Sequence, residues 1–134
     1  MTIDERTAQS QALRLDGARV LVVEDEYFIA DDLRRTLDAA GAIVIGPVST
    51  FAKAADVIAK GGFDCAVIDL NLHGESGVAL ADQLLAAGAS FAIATGYGSA
   101  AVPDRLKHVP RIEKPFDPAA IVASLGALGC ARAS

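Results

Sequence analysis

The chain has no tryptophan, and its aromatic residues are two tyrosines and five phenylalanines among 134 residues. With so few rings, a core must be tightly packed from Ala, Val, Ile and Leu, and the hydrophobic fraction of 52% is enough to build one. Cysteine is scarce too. Cys65 and Cys130 lie far apart, with no CxxC pair and no histidine cluster, which argues against a structural zinc site. Two free thiols are expected rather than a disulfide. No Lys/Arg run stands out, the net charge is −5 and the pI is about 4.8, so no nucleic-acid partner is expected. No apolar stretch reaches the roughly 20 residues a membrane span needs. Residues 1–16 are polar and carry acids, unlike a secretory signal. A cytoplasmic protein that does not engage membranes is expected.

What is present is an alternation. After a lead-in over 1–17, short apolar runs alternate with segments of helical period through one domain over 18–129, leaving a tail over 130–134. That alternation predicts βα units around a parallel sheet. Strands are predicted at about 19–24, 42–48, 64–69, 90–95 and 111–113. Helices are predicted at about 26–40, 51–60 and 77–87, with a last one opening at Asp117-Pro118. In the first helix Ala30, Leu33, Leu37 and Ala40 recur at spacings of three and four. Ser49 or Thr50 suits the N-cap of the second, and Pro118 suits the first position of the last. Residues 96–108 contain Pro103 and a Gly-Tyr-Gly-Ser start, so any helix there is short or irregular.

The strand ends carry the chemistry. The first ends in Glu24-Asp25-Glu26, the third in Asp69, the fourth in Thr95 and the fifth in Lys114-Pro115. In open parallel sheets the site lies beyond the carboxyl ends of the strands, where these groups meet. Two carboxylates about 4 Å apart repel by roughly 4 kcal/mol at an effective dielectric near 20. Glu24, Asp25 and Asp69 together therefore require a proton or a cation. Mg²⁺ suits carboxylates plus a backbone carbonyl, and the Asn71 carbonyl is a candidate ligand. A carboxylate can attack phosphorus to give an aspartyl phosphate. The Lys114 ammonium and the Thr95 hydroxyl would then contact the phosphoryl oxygens. Pro115 raises the chance of a cis peptide after Lys114.

These residues, in this order, resemble the receiver domain of two-component response regulators. Glu24-Asp25 matches the acidic pair, Asp69 the phosphoacceptor, Thr95 the switch hydroxyl, Lys114-Pro115-Phe116 the Lys-Pro-Phe motif, and Gly77 the glycine opening the third helix. The resemblance covers about Ala18 to Leu128. It implies an α/β, flavodoxin-like (βα)5 fold with a central five-stranded parallel sheet in the order 2-1-3-4-5. It implies a bacterial phosphoprotein of a phosphorelay, in which a histidine kinase or histidine phosphotransferase passes a phosphoryl group to Asp69 with Mg²⁺. Metal ligands carry over to Glu24, Asp25, Asp69 and the Asn71 carbonyl. Asn71 and Tyr97 fall where receivers modulate hydrolysis. A stand-alone regulator is expected, signalling through a downstream protein partner, as a monomer or a phosphorylation-dependent dimer. It would be no enzyme beyond its own phosphorylation and dephosphorylation.

The chain departs from the family pattern at Arg111, where an aromatic switch residue is common, and at His73, where many receivers have proline. Ala94-Thr95-Gly96-Tyr97-Gly98, with Ile93 in the Phe place, is similar to a subgroup named for a Phe-Ala-Thr-Gly-X-Tyr motif and tied to stress phosphorelays. Two other assignments compete. One is a phosphorylation-independent binding module of receiver fold. The other is a small phosphatase of the haloacid-dehalogenase type, which Asn71 disfavours because an amide cannot serve as the general acid. Glu26 reads as a helix-dipole acid, and His73 and His108 as loop residues without a catalytic part.

Overall fold

The computed structural model describes residues 14–72, 74–96 and 102–130. In chain order the elements are β1 (Arg19–Val23), α1 (Tyr27–Ala39), β2 (Ile43–Val48), α2 (Phe51–Lys60), β3 (Cys65–Asp69), β4 (Asn71–Leu72), β5 (Glu75–Ser76), α3 (Val78–Ala86), β6 (Ser90–Thr95), a 3₁₀ turn (Asp104–Leu106), β7 (Arg111–Glu113) and α4 (Pro118–Ala127). Five strands pair in parallel in the order β2-β1-β3-β6-β7. Counting only these five, this is the expected 2-1-3-4-5 order, and the fold is flavodoxin-like.

Alternation along the strands divides the core in two. Val20, Val22, Cys65, Val67, Ala92, Ala94 and Ile112 face α1 and α4. Leu21, Val23, Ala66, Ile68, Phe91 and Ile93 face α2, α3 and the 3₁₀ turn. β1, β3 and β6 are covered on both faces, which explains why they read as unbroken apolar runs. Edge strand β2 is largely exposed or half-buried, and its Gly46-Pro47 peptide is cis.

The helix ends follow local chemistry. Thr50, not Ser49, caps α2: its side chain accepts the Lys53 N–H at 3.2 Å. Asp117 caps α4 by accepting the Ala119 N–H at 3.1 Å, with Pro118 next. The proline-bearing stretch yields only the 3₁₀ turn among its described residues. The β4–β5 pair, Asn71 opposite Ser76 and Leu72 opposite Glu75, carried no sequence signal, since two-residue strands are too short to show a period.

Three sequence expectations change. Cys65 and Cys130 are joined in a disulfide with Cα atoms 5.5 Å apart, so the free-thiol expectation is wrong. The sheet brings the start of β3 beside Cys130, just past α4, a proximity that the sequence separation of 65 hides. The lead-in ends earlier than residue 17. Leu15 is wholly buried, and its N–H donates to the Ala40 carbonyl at 2.8 Å. At the other end Cys130, assigned to the tail, is buried in the same cluster. Single residues of this kind have no periodicity by which to be found.

Candidate functional site: an acidic pocket bridged by lysine

Each site residue is placed by a strand end. Asp69 is the last residue of β3 and pairs in register with Ala94, so Thr95 lies one residue further along β6. Thr95 in turn pairs with Glu113, and its carbonyl accepts the Lys114 N–H at 2.8 Å. Glu24 and Asp25 follow β1 directly. Glu24, Asp69 and Thr95 are the buried polar or charged residues among those described. The Lys114-Pro115 peptide is cis, as the proline allowed.

Lys114 draws the pocket together. Its Nζ donates to Asp69 Oδ2 at 2.8 Å and lies 2.8 Å from Glu24 Oε1. The second contact is an ion pair, and it gives the buried Glu24 Oε1 a cation to face. Glu24 Oε2 accepts the Glu26 N–H at 3.2 Å, and Asp69 Oδ1 accepts the Asn71 N–H at 2.9 Å. Carboxylate oxygens of Glu24, Asp25 and Asp69 all lie within 4.8 Å of one another.

Burial and crowding set the protonation. Burial pushes the Glu24 carboxyl up to about 7, with the Asp69 charge adding to the rise and the Lys114 bond opposing it. Burial pulls the Lys114 ammonium down, but its bonds to Asp69 and Glu24 outweigh this and raise it. The predicted crowding of acids is thus relieved partly by Lys114 and partly by a proton-hungry Glu24. Sequence reasoning aimed Lys114 at a phosphoryl group and missed its bond to Glu24, because the sign of a residue's charge does not reveal which of two acids it reaches.

The three carboxylates, their oxygens within 4.8 Å of one another, fit a hard divalent cation. Mg²⁺ would be held there, and it would neutralise oxygen charge beside Asp69. The Asn71 side chain, which accepts the Gly74 N–H at 3.2 Å, is exposed at the pocket's rim. Tyr97 and His73 lie outside the described residues. A cleft of about 290 Å³ adjoins the pocket, lined by Glu26, Ile29, Asp32, Gly96, Lys114, Pro115 and Phe116. Beside the acids, Tyr27 and Phe28 stand 75% and 82% exposed with their rings edge to face, 5.5 Å apart. The sequence pattern did not single them out, although they fall off the apolar stripe of α1.

Gly77 fixes the loop beyond Asp69. Its N–H donates to the Leu70 carbonyl at 2.7 Å. A Cβ at this position would come within 2.5 Å of the Asp69 carbonyl oxygen and 3.0 Å of Leu70 Cα. Only glycine lets the two backbones approach this closely.

The same fold occurs in known proteins. The solution structure of SdrG from Sphingomonas melonis Fr1 superposes with a TM-score of 0.76 at 34% identity, covering 84% of this chain and 96% of that one. A CheY-like response regulator receiver domain from Methylobacillus flagellatus gives 0.73 at 26% identity, covering 84% and 99%. The response regulator PhyR from Brucella abortus gives 0.72 at 26% identity, and there the match covers 90% of this chain but 51% of PhyR. No curated protein sequence matches the chain. The family model of the response regulator receiver domain matches residues 20–126, a span that runs from β1 into α4 and takes in every strand end described above; the chain belongs to that family.

Proposed function

We propose that this receiver domain accepts a phosphoryl group on Asp69 and acts as a response regulator. The observation that carries this reading is the Lys114 ammonium held 2.8 Å from Asp69 Oδ2 and 2.8 Å from Glu24 Oε1 at the mouth of an acidic pocket. A carboxylate oxygen of Asp69 attacks the phosphorus of a phosphohistidine on a histidine kinase or histidine phosphotransferase. The P–O bond forms as the P–N bond breaks, and the imidazole nitrogen leaves with its electron pair. Lys114 offers a fixed positive charge to the incoming phosphoryl oxygens, and the Thr95 hydroxyl donates to one of them. Glu24, Asp25, Asp69 and the Asn71 carbonyl would hold Mg²⁺, whose charge would offset the repulsion between carboxylate and phosphoryl group. Asn71 and Tyr97 modulate hydrolysis.

The phosphoryl group carries close to two negative charges, as on phosphoserine, and it replaces the single charge of the Asp69 carboxylate, so phosphorylation adds about one negative charge. The phosphorylated form signals to a downstream protein partner in the cytoplasm, as a monomer or a phosphorylation-dependent dimer, and turns over no other substrate. Likeness to PhyR, one structure of which is described as a stress response regulator, supports a place in a bacterial stress phosphorelay. The Ala94-Thr95-Gly96-Tyr97-Gly98 run agrees with this. Incubation with acetyl phosphate and Mg²⁺ should add one phosphoryl mass to the wild type and none to Asp69→Ala. An equal gain in both would reject the site, and turnover of a generic phosphate ester would favour the phosphatase alternative.

A further inference from the structure

Cys65 opens β3 and pairs in register with Val20 on one side and Ser90 on the other. Cys130 lies just past α4, and its N–H donates to the Leu125 carbonyl at 3.1 Å. Both are buried, at 0% and 1% exposure, in the cluster that holds α4 to the sheet. The helix they bracket is weakly held by its own sequence. It is ten residues long, a length that is marginal alone. Gly126 stands within it, a poor helix former. It buries only Ile121, Val122 and Leu125, while Ala119, Ala120, Ala123 and Ala127 face outward. A covalent tie at its C-terminal end therefore changes how tightly the helix closes.

We propose that Cys65 and Cys130 form a reversible redox-modification site, which fastens α4 to the sheet when oxidised and loosens it when reduced. The co-reactant is a low-molecular-weight disulfide such as glutathione disulfide. Cys130 reacts first, because it lies beyond the last helical turn, where local opening is least costly. Its thiolate attacks one sulfur of glutathione disulfide, and one glutathione thiolate leaves and takes up a proton. The Cys65 thiolate then attacks the Cys130 sulfur of the mixed disulfide and expels the second glutathione. Two protein thiols are oxidised and one glutathione disulfide is reduced to two glutathiones; excess glutathione reverses both steps. The site lies at the opposite end of β3 from Asp69, so this input is separate from the phosphoryl group.

The test uses the full chain, equilibrated in reduced glutathione or in glutathione disulfide. It is read by thiol alkylation with mass spectrometry and by amide hydrogen exchange across α4. The reduced form should take two alkyl groups, and the oxidised form none, with a mass lower by two hydrogens. Amides of α4 should exchange more slowly in the oxidised form by about tenfold or more, the effect of a cross-link closing a long loop. Cys130→Ser should exchange at the reduced rate in both buffers. Thiols that stay alkylatable in glutathione disulfide, a bond that glutathione does not reduce in the folded protein, or equal α4 exchange in both forms would each overturn the proposal. If Cys130→Ser does not fold, the two forms of the wild type decide alone.

Discussion

Replacing Lys114 with methionine keeps most of the side chain's volume and removes the charge between Glu24 Oε1 and Asp69 Oδ2. Leaving one side of a buried ion pair without its partner typically costs about 3 kcal/mol or more. The loss should depend on pH, because a proton on Glu24 can take the place of the missing cation. Urea unfolding without divalent cation should therefore show a larger loss for Lys114→Met at pH 8 than at pH 6; equal losses would contradict the coupling. Glu24 itself gives a second prediction. Its folded value of about 7 lies above the ordinary 4.5, so between these values the folded state binds more protons than the unfolded one. Stability should fall as pH rises from about 4.5 to 7 and then level off, and Glu24→Gln should remove that slope. Asp31 and Asp82 titrate in a different window. Hydrogen bonds from Arg34 and Arg105 hold them below 3.8, so their contribution is present above that value and lost only as pH falls further. Thermal melts of the two proteins across this range, without Mg²⁺, would decide.

At the scale of the element, the turn into α3 is constrained at Gly77. Gly77→Ala pushes a methyl group against the Asp69 carbonyl oxygen and Leu70 Cα, both backbone atoms that cannot swing aside. Overpacking of this kind costs about 1–3 kcal/mol, and here it also shifts the loop carrying Asn71. The variant should melt earlier and accept less phosphoryl from acetyl phosphate than wild type; normal phosphorylation would show that the loop adjusts. Gly77 was legible in the sequence only through the family resemblance, whereas β1, β3 and β6 were legible from composition alone. The difference is physical. A strand buried on both faces must be apolar along its whole length, but a glycine demanded by one backbone contact looks like any other loop glycine. Helix starts were readable where a side chain does the capping, as at Thr50 and Asp117. The acids and Thr95 were readable because each sits at the end of such a strand, and Lys114 because it follows the short edge strand β7 and precedes a proline. The Lys114–Glu24 pair and the Tyr27–Phe28 surface were not, since both depend on rotamers and neighbours that no run of letters encodes.

Over the whole molecule, the two faces of the sheet are filled independently, and the face toward α1 and α4 also holds the ends of the described chain. Leu15→Ala should cost about 2–4 kcal/mol by leaving a cavity against Ala40 and its neighbours. Chemical denaturation would measure this, and a loss below half a kilocalorie would mean that the cluster collapses around the gap. Leu15 and Cys130 share one cluster, and Cys65, bonded to Cys130, begins the strand that Asp69 ends. Leu15 and Cys130 thus both lie at the floor of the sheet, with the pocket at its rim. A binder that gripped the domain at this floor would leave the acidic pocket uncovered.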